Sequence, residues 1–425
     1  MPPFAVRSLL SAFLLLAFSL EPVPATAQSF SVLHTFTDGG DGALPVAGMI
    51  MDQAGNLYGT AMSGGTGGCS DNGPPGCGTI FELKQHNNSY IFNPLYSFVG
   101  RTDGAAPQAR LTIGPNATYY GTTYGGCVGF GVVFNAGPLP TPLRTPLLQF
   151  HESVLDCFAG FGGGDGGNPR GPVIFDQAGN IYGTTSTGGI NAEGTVFELS
   201  PAGGGTYTEK LLYSFCPPAL PPCPDGQTPL DGVVFDSAGN IYGTTLGGGS
   251  NNSGVVFELS PSGAGWTERV IYSFQGPNDG ENPQSGVAID NAGNLYGNTA
   301  EGGSDGGGTI YELSPNGSNW NFNVLYNSPF GSYPVDRVTF DSSGNLYETT
   351  VNGGYGYGEV LELARSGNNW TYVDLYDFTN GIDGSYPYGS VVLDSSGNVY
   401  GTAENGGNNT CYNGHGCGVV WKITR

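Results

Sequence analysis

The chain has 425 residues, of which 75 are Gly and 30 Pro, about a quarter of the total, a level at which an unpatterned sequence stays disordered. An apolar content of 38% with 12% aromatics supplies a core, so the class depends on whether the glycines recur with a period. Twelve Lys and Arg against 35 Asp and Glu leave a net charge of −23, and so few scattered cations cannot build the basic surface that phosphate backbones require, which excludes nucleic acid as a partner.

In chain order, residues 1–27 come first. Arg7 precedes an apolar run from Leu9 to Leu20 and a small-x-small site at Ala25-Thr26-Ala27. This is the pattern of a secretory signal peptide, and the run is shorter than the roughly 20 residues needed to cross a bilayer. The mature chain is expected to start near Gln28, to lack a transmembrane segment and to be a monomer outside the cytosol, secreted or periplasmic in a bacterium. Eight cysteines agree with export. Cys69 with Cys77, Cys216 with Cys223 and Cys411 with Cys417 are close pairs, leaving Cys127 and Cys157 for each other. Their gaps are longer than zinc-ligand spacings, so no metal is assigned to them.

The rest of the chain is one unit repeated seven times. Gly-Asn-(Leu/Ile/Val)-Tyr recurs at Gly55, Gly179, Gly239, Gly293, Gly344 and Gly397, with a worn copy at Ala117 to Tyr120. The seven tyrosines, Tyr58, Tyr120, Tyr182, Tyr242, Tyr296, Tyr347 and Tyr400, are spaced by 62, 62, 60, 54, 51 and 53 residues. Each unit contains four short runs rich in Val, Ile, Tyr, Phe and Thr, punctuated by Gly, Asn, Asp, Ser or Pro, and no stretch has a long 3.6-residue apolar period. Four strands per unit at a period near 50 predict the blades of an all-β, seven-bladed β-propeller occupying residues 28–425 as one domain. The seventh unit stops after its third strand at Ile423. Phe30 to Phe36 resembles a fourth strand and precedes the first unit, so the N-terminal strand is expected to join the last blade and close the ring.

Thirteen residues separate the opening proline from the tyrosine in every unit, as from Pro45 to Tyr58. Inside this frame Asp-x-x-Gly-Asn, at Asp52, Asp176, Asp236, Asp290, Asp341 and Asp394, reads as tight-turn chemistry rather than as calcium ligands. Variation concentrates on one face, here called the upper, which holds the loops between second and third strands and the crossovers between blades. The tyrosine-to-third-strand distance is 23 residues in unit one and 21 in unit seven, against 14 or 15 in units two to six. Both long loops carry a cysteine pair, and closing loops this short by a disulfide contributes about 2 kcal/mol.

Candidate binding residues lie on that face. Asp71, Glu404, Tyr412 and His415 belong to the long loops, and Asp-Gly-x-x-Pro in the crossovers supplies Asp41, Asp103, Asp165, Asp225, Asp279 and Asp383. Converging on a channel mouth, these carboxylates would hold a cation such as Ca²⁺, the single cofactor considered; their spacing before Pro fits turn capping better. No nucleophile-elbow, zinc-protease, Walker or kinase motif occurs, and no catalytic residue is assigned.

The unit Asp-x-x-Gly-Asn-Leu-Tyr-Gly-Thr-Thr-x-x-Gly-Gly followed by Gly-Thr-Val-Phe-Glu-Leu, clearest at Asp176 to Leu199 and Asp236 to Leu259, resembles the GloVer tandem-repeat family of exported bacterial proteins. Unit two departs at Gly114, Ala117 and Thr118, and unit six at Glu348 in place of Gly. The resemblance implies a surface or secreted protein, and it carries over no catalytic residues. The chain is therefore read as a non-catalytic binding module, its partner a glycan or a surface protein on the upper face. The alternatives are a carbohydrate-active hydrolase or lyase using carboxylates at the channel mouth, and a structural spacer or matrix protein.

Overall fold

The computed structural model describes residues 28–69, 76–87, 89–138, 150–160, 164–216, 223–263, 265–408, 411 and 414–425. The leader, Asp71 and Tyr412 lie outside the described residues. Seven four-stranded antiparallel sheets form a β-propeller, and the described residues include no α-helix; a 3₁₀ turn lies at Pro115–Ala117. Blade three shows the plan: Ile174–Phe175, Ile181–Thr185, Thr195–Gly203 and Thr206–Ser214, each paired with the next. The first strand is shorter than the sequence suggests. Only two residues pair with the second strand, because those before them turn toward the channel and bond to the neighbouring blade.

The second strand is the densest part of each blade, with all five residues buried in every copy, as in Ile241–Thr245. Its glycine exists because an aromatic ring from the third strand lies across it. A Cβ at Gly59 would stand 2.5 Å from the Phe81 ring, and one at Gly401 would stand 2.3 Å from Trp421. Blade six breaks the rule on both strands at once. Glu348 replaces the glycine and is paired in register with Leu361, where the other blades have an aromatic. Its carboxylate accepts hydrogen bonds from the Thr349 amide at 3.0 Å and from Asn298 Nδ2 of blade five at 2.8 Å. Asn298 is itself a departure, standing where other blades have Thr, so the two exceptions complement each other across a blade seam. Burial holds the Glu348 carboxyl well above the ordinary carboxylate range.

The core lies between blades. Tyr182, Val196 and Phe215 of blade three pack with Val233, Ile241 and Phe257 of blade four. The same second strand also ties each blade to the next by one polar bond. The side chain after the glycine position, a Thr hydroxyl in six blades and the Asn298 amide in blade five, donates to a backbone carbonyl two residues past the opening proline of the next blade. The seven contacts are Thr60 to Ala109 at 3.3 Å, Thr122 to Gly171 at 3.0 Å, Thr184 to Asp231 at 2.7 Å, Thr244 to Ser285 at 2.5 Å, Asn298 Nδ2 to Asp336 at 2.5 Å, Thr349 to Gly389 at 3.3 Å and Thr402 to Ala47 at 2.9 Å. The last joins blade seven to blade one.

Ring closure has a second element. The strand Ser29–Thr35 adds to Val419–Thr424 as the outer strand of blade seven, with Phe30 opposite Ile423 and Val32 opposite Trp421. Phe30 also stacks on Tyr376 of blade six, with ring centroids 3.8 Å apart. Deleting residues 29–35 removes this ladder and its apolar contacts. We expect the thermal midpoint to fall by roughly 10 °C or more, at about 2–4 °C per kcal/mol for a larger domain; an unchanged melt would refute the closure. In blade six, E348G is expected to cost about 1–3 kcal/mol, since it opens a cavity and leaves one N–H of the Asn298 amide without its acceptor. Adding L361F restores the ring that occupies this space in other blades, so thermal melts of E348G/L361F should recover most of the loss.

Candidate functional site

Each chain segment enters its blade from an upper-face crossover, so the residues after the opening proline run down the channel wall in successive layers. The first layer is Val46, Gln108, Arg170, Leu230, Gln284, Val335 and Tyr388, and the next two contribute Asp231, Asp336, Arg110 and Arg337. Together with Met62 and Glu404 from the second-strand ends they line a cavity of about 260 Å³. Several neighbours in these layers are glycines because adjacent backbones nearly touch. A Cβ at Gly171 would stand 1.9 Å from the Gly232 nitrogen.

Arg337 forms much of the floor. Its guanidinium reaches from blade six past Gly286 of blade five to Asp231 of blade four, with Nη2 at 2.9 Å and Nε at 3.2 Å from Asp231 Oδ2, and Nη2 also donates to the Gly232 carbonyl at 2.8 Å. Gly286 leaves room for it, since a Cβ there would lie 2.6 Å from Nη2. Asp231 further accepts the Gly286 amide at 2.7 Å and the Gly232 amide at 2.7 Å, so the ion pair is enclosed in hydrogen bonds, as a buried pair must be. Asp336 accepts from the amides of Arg337, at 2.6 Å, and Ser390. Burial, with the Asp231 charge close by, lifts its carboxyl to about 6. At the mouth, Arg170 lies over the Tyr124 ring at 4.7 Å, and burial raises the Glu404 carboxyl to about 7. Glu404 has no hydrogen-bond partner among the described residues and faces the cavity.

Of the described residues marked from the sequence, Glu404 alone lines this cavity. His415 is exposed in the loop of blade seven. The six crossover aspartates are placed outside the channel, in the turns that leave the fourth strands. Asp103 accepts from the Val99 amide at 3.0 Å and the Tyr96 hydroxyl at 2.7 Å, and Asp225 from the Cys216 amide at 3.1 Å and the Tyr213 hydroxyl at 2.6 Å. Asp279 accepts from Gln275 and Tyr272, Asp383 from Thr379 and Tyr376, Asp165 from Ala159 and Gly166, and Asp41 from Thr37, Gly39 and His34. Asp-x-x-Gly-Asn is equally committed: Asp52 accepts from the amides of Ala54 and Asn56, both at 2.9 Å, with Gly55 at φ +82°. Among the described residues no three His, Cys, Asp or Glu side chains converge as a cation cage.

The channel arginines and Asp231, Asp336 and Tyr388 escaped the sequence reading. A signal for them existed, because the frame from proline to tyrosine is constant in length while its second and third positions vary between small residues or Pro and the charged Asp231, Asp336, Arg110 and Arg337. The four disulfides join Cys69 to Cys77, Cys127 to Cys157, Cys216 to Cys223 and Cys411 to Cys417, all at upper-face connections, and they point to a non-cytoplasmic compartment. No helix among the described residues is long and apolar enough to cross a membrane.

A second groove, of about 570 Å³, lies on the lower face over Tyr242 and Trp320 between blades four and five. Its charged groups are occupied: Arg269 bonds Glu258 and, at 2.9 Å, the Ser318 carbonyl, while Asp236 caps its own turn.

Buried carboxyls along the seams set the pH response. Burial, reinforced by Asp103, lifts Glu152 to about 8, and burial with Asp225 lifts Glu268 to about 7. Glu209 also rises to about 7, mainly by burial. These groups keep protons in the folded chain that the unfolded chain releases above about pH 4.5, so folding binds protons and stability falls as pH rises from about 4.5 to 8. Asp41, Asp176 and Asp394 act oppositely. Their hydrogen bonds outweigh burial and lower them, so their contribution disappears as pH drops below about 4. Thermal melts across pH 3 to 9 should therefore peak near pH 4–5 and decline toward pH 8; a maximum at pH 7–8 would contradict these burial assignments.

No curated protein matches the chain in sequence. Among solved structures, the extracellular domain of a one-component system from B. thetaiotaomicron is similar over 92% of this chain and 39% of that one, at 11% identity and a TM-score of 0.55. A protein described as a 6-phosphogluconolactonase from Bacteroides uniformis is similar over 78% of this chain and 83% of its own, at 13% identity and a TM-score of 0.48. A Dyadobacter fermentans protein of unknown function is similar over 93% and 96%, at 13% identity and a TM-score of 0.46. At such identities the likeness is one of fold. The family model of the Gloeobacter/Verrucomicrobia repeat, in contrast, matches residues 16–220 and again 219–414, and with the tandem units running through both matches the chain belongs to that repeat family.

Proposed function

We propose that this is an exported, non-catalytic binding module that captures a glycan on the upper face of the propeller. The signal peptide would be residues 1–27 and the mature domain residues 28–425. The observation that carries the reading is the inequality of the two faces. Seven of the ten large apolar side chains exposed among the described residues, Val99, Val128, Ile190, Phe330, Tyr355, Ile382 and Tyr388, lie at upper connections or the upper channel mouth. Phe330 is 85% and Tyr355 73% exposed. Aromatic and aliphatic side chains held out of the core on a rigid scaffold suit stacking against sugar rings, and one of them, Tyr388, also lines the channel cavity. A disulfide fastens the loop that carries Val128 and three others fasten further upper-face connections, which lowers the entropy lost when a ligand docks there.

One observation favours the carbohydrate-active alternative. Glu404 stands at the channel mouth with a carboxyl raised to about 7, the range of a general acid, within the cavity that also holds Asp336. A glycan array probed with the oxidised protein, followed by mass spectrometry of the eluted material, separates the readings. Intact bound glycans, with E404Q binding within about threefold of the parent, support the module. Cleaved products that E404Q reduces by about 100-fold or more would replace it with an enzyme. Silence across the array would sink the glycan reading and leave a surface protein as the partner. A Y355A/F330A variant should lower affinity for array hits by roughly 10-fold or more, because each removes an exposed stacking surface.

A further inference from the structure

Of twelve cationic residues in a chain of net charge −23, three, Arg110, Arg170 and Arg337, line the one cavity of the channel mouth. Two are occupied: Arg337 is paired with Asp231, and Arg170 lies over Tyr124. Arg110 is different. It comes from the third layer of blade two, beside Arg337 at the cavity floor, and has no hydrogen bond and no ion pair among the described residues. Its surroundings disfavour the charge, first by burial and then by the Arg337 guanidinium, with Asp336 and Asp231 only partly offsetting this. A guanidinium does not shed its proton to escape such a site, so five N–H donors are held at the floor of a polar cavity without a protein acceptor. The two carboxylate oxygens of Asp336 accept from the Arg337 and Ser390 amides, and neither bonds Arg110.

We propose that Arg110 is the anchor for a carboxylate, and that the ligand seated in the channel is an acidic sugar of the uronic-acid class. The inference rests on the glycan-binding reading and names its ligand chemistry. The planar fork of a guanidinium matches a carboxylate in bidentate geometry. The charge count selects a monoanion. With Glu404 protonated below about pH 7, Arg110, Arg170 and Arg337 face the charges of Asp231 and Asp336 alone, so one added negative charge balances the site, whereas a phosphate dianion would be repelled by the carboxylates around it. Above the floor, Val46, Leu230, Val335 and Tyr388 offer an apolar wall to a ring face, and the amides of Gln108 and Gln284 offer donors and acceptors to hydroxyls. At about 260 Å³ the cavity is just below the range of about 300–1,000 Å³ typical for drug-sized ligands, room for a single sugar ring.

The test is calorimetric titration of the oxidised protein with glucuronate, galacturonate, glucose and inorganic phosphate, alongside R110M, which keeps the aliphatic stem and removes the charge. The proposal expects a uronate to bind at least 10-fold more tightly than glucose or phosphate. R110M should lose at least 10-fold of that affinity while its melting temperature stays level or rises, because an unpaired, half-buried charge has gone. A merely structural arginine would instead lower the melting temperature on substitution. Equal affinity for glucose and the uronates, preference for phosphate, binding by R110M as in the parent, or no binding of either uronate would each overturn it. The two readings fail separately. Neutral glycans captured on the array with R110M unimpaired would leave the glycan module standing without the carboxylate site. Uronate binding that depends on Arg110, with an array silent to every polymer, would keep the site and discard the glycan-docking surface.

Discussion

Everything in this molecule depends on a ring of seven side-chain-to-carbonyl bonds at the centre of the propeller. In each blade a hydroxyl or amide at the same position of the second strand reaches the innermost segment of the next blade, and the seventh contact returns to the first. Each is a buried bond worth about 1 kcal/mol net, with a larger penalty if its carbonyl is left unpaired. Their structural effect exceeds their sum because they fix the height and rotation of one blade against another. The residues after the opening proline are thereby aimed at the axis, and whatever chemistry they carry becomes a feature of the channel.

That constraint explains the contrast between an almost invariant frame and a variable lining. The Gly-Thr pair on the second strand is held by a ring lying over the glycine on one strand and by a carbonyl in the neighbouring blade. Substitution at either place requires a matching change elsewhere. Blade six makes that change on both counts, with Leu361 opposite Glu348 and Asn298 across the seam. The first three residues of the inner segment carry no such obligation. Their backbone does the structural work, and their side chains are free to be Gly, Leu, Gln, Asp or Arg. The cavity is assembled from that freedom.

The upper and lower faces divide the acidic residues by use. On the lower face, the Asp-x-x-Gly-Asn carboxylates are saturated by their own turns. On the upper face, the crossover aspartates bind an amide just past the fourth strand, and Asp103, Asp225, Asp279 and Asp383 also bind a tyrosine hydroxyl of that strand. The net charge of −23 is thus largely turn chemistry and seam burial rather than a binding field. The few cations in the channel are the exception, in a protein where every other ring position is small, neutral or acidic.

Much of the architecture was legible in the residues themselves. The recurrence of Gly-Asn-Leu-Tyr, the constant step from Pro45 to Tyr58 and its counterparts, and the missing fourth strand after Ile423 set the seven blades, the strand count and the closure by Phe30 to Phe36, because they are local patterns repeated along one chain. Three cysteine pairs followed from proximity in sequence for the same reason, and Cys127 with Cys157 followed as the remainder. The binding surface was legible only as a face. Asp41, Asp103 and their counterparts read as possible ligands until their turns claimed them, since a carboxylate before Gly-x-x-Pro looks the same whether it points at a backbone amide or at a channel. Arg110, Arg337 and Asp231 are 227 residues apart from first to last in sequence. They meet because three different blades aim them at one axis. Local pattern determined the blades; which charges meet, and which one is left without a partner, was decided by the closing of the ring.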